Sequence, residues 1–151
     1  MRRAKNPFWK AGFTLVELVF AAAFGSAVLV SAVPQLNRMQ QAWALWGGAR
    51  LVETSLQWGR MYAVTANTSV AFQVSGDGRR YCWVDPASGS EYEETVRYLP
   101  PQVSISDKPA RDLRFFQKGN AAPAGTFVIQ GEAGTWRVIV NPAGRIRIQK
   151  G

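Results

Sequence analysis

Residues 18–37, LVFAAAFGSAVLVSAVPQLN, run for twenty positions without a charge, and extending the stretch back to residue 13 admits one ionisable group, Glu17. As a helix rising ~1.5 Å per residue, the 21 residues 13–33 reach ~31 Å, about the thickness of a bilayer's hydrocarbon core. Before them stand Arg2, Arg3, Lys5 and Lys10 with no acid. Basic flanks stay cytoplasmic, so the residues after the span are expected beyond that membrane. A cleaved secretory signal would have a shorter apolar core and a polar start to the mature chain. Here the apolar run leads through Pro34 into another helical pattern, which favours a retained span. Glu17 is the anomaly. An unpaired carboxylate at depth costs roughly 2.5–3.5 kcal/mol on insertion scales. It reads either as an interface residue that snorkels or as a group awaiting a positive charge from a partner.

Beyond the span, composition narrows the chemistry. The chain has no histidine and one cysteine, Cys82. Zinc sites of the Cys/His type and an internal disulfide are excluded, and the commonest general base is missing. Glu91, Glu93 and Glu94 cluster on one short polar segment, which reads as a solvated face rather than an opposed catalytic pair. There is no glycine-rich phosphate loop. A non-enzymatic chain is expected, with no catalytic residue, cofactor or metal.

After Pro34, Leu36, Met39, Trp43, Trp46, Leu51, Leu56, Trp58 and Met61 recur at spacings near 3.6, predicting an amphipathic helix over residues 34–65. Its tryptophans are expected in the core, and Gly47-Gly48 suggests a bend. From residue 69 the pattern changes to short β-runs between turn signals. Strands are expected over 69–75, 80–84, 103–106, 112–116, 126–130, 135–140 and 145–149, with 91–99 ambiguous. Gly76-Asp77-Gly78 marks a hairpin. Helix first and strands after predicts an α+β fold: a long N-terminal helix, transmembrane then amphipathic, packed on an antiparallel sheet domain over 66–151.

The junction Lys10-Ala11-Gly12-Phe13-Thr14-Leu15-Val16-Glu17-Leu18 resembles the leader junction of type IV pilins and type II secretion pseudopilins. The resemblance implies that a prepilin peptidase cuts between Gly12 and Phe13, removing a leader of residues 1–12, and methylates Phe13. It implies that Glu17 pairs with the amino terminus of a neighbouring subunit during filament assembly. Pro34 falls where the family's long helix is often kinked or melted.

A second match lies in the tail. Leu99-Pro100-Pro101, Leu113-Arg114-Phe115-Phe116 with Gly119, and WRVIVNPAGRIRI over 136–148 resemble the globular domain of the GspH/FimT group of minor pilins. Within that group the Gly-Arg-x-Arg ending, here Gly144, Arg145 and Arg147, resembles FimT-type members that bind DNA in natural transformation. Charge agrees: residues 13–107 carry six basic and eight acidic residues, whereas residues 108–151 carry eight basic and two acidic ones, a balance of +6. In a strand over 145–149, Arg145 and Arg147 would share one face, ~6.6 Å apart, on the scale of phosphate spacing. Arg137 and Lys150, with Lys118, Arg114 and Arg111, would extend the patch. The plain alternative is an edge strand that uses charge against aggregation.

The expected function is a membrane-anchored minor pilin of a type IV pilus that binds DNA through its C-terminal strand. The alternative is a minor pseudopilin that primes or tips a type II secretion filament. The partners implied are prepilin peptidase, other major and minor pilins, the bacterial inner membrane and DNA.

Overall fold

The computed structural model describes residues 14–151; the leader and the junction residues Gly12 and Phe13 lie outside them. The chain divides into two compact units between Asn37 and Arg38. One helix, α1 (Leu15–Thr65), contributes to both.

In the first unit α1 starts at a cap. The Thr14 hydroxyl accepts the Glu17 backbone N–H at 3.2 Å, and the Thr14 carbonyl accepts that of Leu18. Thr-x-x-Glu is a capping-box sequence, and an acid in the first turn suits the positive end of the helix. Glu17 thus has a local helix-starting position. Leu15, Phe20, Phe24, Leu29 and Val30 are all exposed. A helix segment apolar on every side, with a window of mean hydropathy 2.1, is long and apolar enough to cross a membrane. α1 runs on through Pro34, where the ring supplies no N–H for Val30.

The second unit, residues 38–151, packs the rest of α1 against two antiparallel sheets, where the sequence had suggested one. The five-stranded sheet has the order β3-β2-β1-β5-β6, and the four-stranded sheet β4-β7-β8-β9. The strands are β1 (Val70–Val74), β2 (Arg80–Val84), β3 (Arg97–Tyr98), β4 (Ser104–Asp107), β5 (Leu113–Phe115), β6 (Ala121–Ala122), β7 (Gly125–Gly131), β8 (Gly134–Val140) and β9 (Ile146–Lys150). The ambiguous stretch resolves into a 3-10 turn, Glu93–Thr95, followed by β3. Only β6, two alanines long, carried no sequence signal.

Both sheets and α1 share one core. Phe72 of β1 meets Phe127 of β7 edge-on, 5.4 Å between ring centres, which joins the two sheets. Trp83, Tyr81, Phe115, Ile129 and Val138 are fully buried around them.

The helix face that enters this core matches the expected one at Leu56, which is buried, and Trp58, which packs against the core, and differs from it elsewhere. Leu45, Ala49, Val52, Leu56 and Ala63 are buried, whereas Trp43 is 65 % exposed and Trp46 39 % exposed, and Leu36, Met39, Leu51 and Met61 face outward. Close approach explains the difference. A Cβ on Gly59 would lie 2.2 Å from the Trp83 ring, and one on Gly48 would lie 2.9 Å from Val103. The small face of the helix lets the sheet's bulky residues in, and helix tryptophans there would overpack the core. Gly48 therefore serves contact, and the helix continues through Gly47-Gly48 without ending.

Candidate nucleic-acid interface

The β8–β9 turn is built by Asn141. Its carbonyl accepts the Gly144 N–H at 2.9 Å, its side-chain oxygen accepts the Arg145 N–H at 2.7 Å, and its own N–H donates to the Arg145 carbonyl at 3.0 Å. Gly144 has φ +74°, a left-handed conformation in which a side chain is strained. The turn is pinned to the start of β6, because the Ala121 N–H donates to the Pro142 carbonyl at 2.9 Å. From the helix, Arg60 Nε donates to the Gly119 carbonyl at 3.1 Å.

These three elements enclose a cleft of about 600 Å³. Gln57, Arg60, Met61, Val64 and Thr65 come from α1, Lys118 and Gly119 from the β5–β6 loop, and Gly144, Arg145 and Ile146 from the β8–β9 turn. Three of its ten lining residues are cations and none is an acid. Neither ion pair among the described residues, Arg50–Glu53 or Arg80–Glu91, involves them.

Strand β9 begins at Ile146, so Arg145 belongs to the turn and shares no strand face with Arg147. Arg147 lies opposite Ile139, and Arg137 opposite Gln149; both arginines occupy the outer face of the four-stranded sheet, on neighbouring strands. Lys150 pairs with Trp136, which alternation assigns to the other face, so it does not extend the Arg137–Arg147 pair. Arg114 sits on the five-stranded sheet opposite Ala71, and Arg111 in the segment before β5. Lys118 does join Arg145. Gly144 is buried, and it positions the turn rather than presenting a group to a ligand. Arg60 was the residue that sequence reasoning missed: it sits on a helix 85 positions from Arg145, and only the packing of α1 brings it there.

Chemically, three cations around a cleft and two more on an adjacent sheet face are groups able to bind phosphate-like anions by charge-assisted hydrogen bonds. Among the described residues, no three His, Cys, Asp or Glu side chains group to hold a metal.

Residues 48–144 match the family described as "Type II transport protein GspH". The chain belongs to the GspH family. The match stops one residue short of Arg145, so all of the Gly-Arg-x-Arg ending except Gly144 lies outside it. Among solved structures, the type IV minor pilin FimU of Pseudomonas aeruginosa is similar to this GspH-family chain at 24 % identity, covering 69 % of this chain and 91 % of its own, with a TM-score of 0.57. The minor pseudopilin EpsH of the Vibrio cholerae type 2 secretion system is similar at 16 % identity, covering 68 % and 93 %, with a TM-score of 0.56. Both likenesses establish the α+β fold of a long helix followed by antiparallel sheets. No curated protein matches the chain in sequence.

Proposed function

We propose that this chain is a non-enzymatic minor pilin of a type IV pilus, a single-pass subunit anchored in the bacterial inner membrane, whose globular domain binds DNA on the periplasmic or extracellular side. The prepilin peptidase cuts between Gly12 and Phe13 and methylates Phe13. Glu17 then pairs with the amino terminus of a neighbouring pilin as the subunit enters a filament. Family membership and the apolar start of α1 support the anchoring and the assembly.

The DNA reading rests on one observation: Arg60, Lys118 and Arg145, from three separate elements, line one cleft that contains no acid. An edge strand needs charge along the strand to deter pairing. That need does not explain why a helix arginine and a loop lysine converge on the same turn. In this reading Arg145 with Arg60 and Lys118 holds one phosphate, and Arg147 with Arg137 holds others along the sheet. Contacts of this kind position a nucleic acid without reading its bases.

The test is a titration of labelled duplex DNA with the full chain in maltoside micelles. Binding in the ~10⁻⁴ to 10⁻⁶ M range at physiological salt is expected. Arg145→Gln with Arg147→Gln should remove most of it. A second reading, a minor pseudopilin of a type II secretion filament, is favoured by the description of the matched family and by the likeness to EpsH. Absence of DNA binding by the unaltered chain would make it the better reading.

A further inference from the structure

A second cleft, of about 770 Å³, reverses the chemistry of the first. Its wall is aromatic. Trp58 and Tyr62 stack with 5.0 Å between ring centres and 16° between planes, and Tyr92 meets Tyr62 edge-on at 5.7 Å. Trp83 backs the wall, its indole N–H donating to the Ser55 hydroxyl at 3.0 Å. The rim is acidic, carrying Glu91, Glu93 and Glu94 against one cation, Arg97. Two of these charges are already committed. Glu91 is ion-paired with Arg80, and the Arg97 guanidinium donates to the backbone carbonyls of Glu94 and Val96 at 2.9 and 2.8 Å. The carboxylates of Glu93 and Glu94 have no ion-pair or side-chain hydrogen-bond partner among the described residues, and both are exposed.

Ring faces carry negative quadrupole potential, and two uncommitted carboxylates beside them deepen it. An apolar occupant would cover the rings but desolvate the carboxylates without return. A planar cation satisfies both, stacking flat on an indole or phenol while its N–H groups reach carboxylate oxygens. We propose that this cleft is a docking site for an arginine side chain carried by a partner protein, with the guanidinium on the Trp58–Tyr62 wall and its N–H groups on Glu93 and Glu94. The site shares no lining residue with the basic cleft and has the opposite sign, so it stands whether or not the chain binds DNA.

The test uses full chain, ¹⁵N-labelled at tryptophan, in maltoside micelles, with the Trp58 indole resonance assigned through Trp58→Phe. Acetyl-Gly-Arg-Gly-amide should shift that resonance saturably and leave Trp136 in place. The peptide with citrulline, which has the shape without the charge, should not. Glu93→Gln with Glu94→Gln should weaken the arginine peptide about fivefold, the scale of two solvent-exposed ion pairs, with the unliganded spectrum unchanged. A silent Trp58, an equal response to citrulline, or wild-type affinity in the double variant would overturn the proposal. Phosphocholine binding as tightly as the arginine peptide would also overturn it, assigning the cleft to a lipid headgroup.

Discussion

A Cβ placed on Gly144 would lie 1.9 Å from the carbonyl oxygen of Gly119, so the β8–β9 turn and the β5–β6 loop meet backbone to backbone. That close approach sets the distance between Arg145 and Lys118 in the basic cleft. Gly89 provides a control, with a similar φ of +72° and nothing within 4 Å of the added atom. Gly89→Ala should cost about 1 kcal/mol for its backbone conformation alone. Gly144→Ala should cost about 3 kcal/mol or more, since overpacking is added to the same strain. Urea melts of the two variants check this, and equal losses would refute the close packing.

Burial pushes the Tyr81 hydroxyl up to about 12 from its usual 10. The neutral phenol is thus favoured in the folded state. Its contribution is complete below pH 10, where neither state ionises, and is lost as pH rises from 10 towards 12 while the unfolded chain deprotonates. Up to about 3 kcal/mol is at stake. Denaturation titrations at pH 9 and about 11.5 should show this loss in the unaltered chain, and Tyr81→Phe should remove most of it.

Processing should depend on Gly12, because the junction resembles one in which the peptidase accepts only a small residue there. Replacing Gly12 with leucine should leave the leader attached. Intact mass of the membrane-extracted protein reads the outcome. A wild-type chain beginning anywhere but Phe13 would contradict the pilin assignment.

Glu17→Ala should insert into the membrane at least as well as the unaltered chain, since it removes a charge from hydrocarbon. It should be depleted from sheared filaments, where the neighbour's amino terminus is left without its partner. The helix cap does not confuse the result, because the Thr14 hydroxyl accepts a backbone N–H that alanine retains. Equal incorporation would leave Glu17 with its capping position alone.

Much of the fold was legible because it rests on local patterns. The twenty uncharged residues, the change of period near residue 69 and the turn chemistry at Gly76-Asp77-Gly78 and Asn141-Pro142-Ala143-Gly144 each act within a few positions. What was not legible depended on partners far along the chain. The helix periodicity put Trp43 and Trp46 inside, but Gly59 faces Trp83 and Gly48 faces Val103, so the buried stripe combines glycine and alanine with Leu45, Val52 and Leu56. Arg145 and Arg147 alternate correctly for a strand, yet the side chain of Asn141 captures the Arg145 N–H and delays the strand by one residue. Arg60 carried no signal at all, because its place in the basic cleft depends on how α1 packs against two loops.

The most direct test of the DNA reading is the salt dependence of binding. Removing the side chain that neutralises one phosphate should lower the slope of log affinity against log salt by ~0.9. Arg145→Gln with Arg147→Gln should therefore reduce the slope by roughly 1.8, and Arg60→Gln alone by ~0.9. The fold should survive the double change, because Ile146 and Ile148 keep their inward positions and exposed substitutions cost within about 0.5 kcal/mol. Titrations of full chain and variants into labelled duplex, from low salt to about physiological ionic strength, give the slopes. Slopes that fall by these amounts are the predicted result, and slopes parallel to that of the unaltered chain would contradict phosphate binding at this cleft.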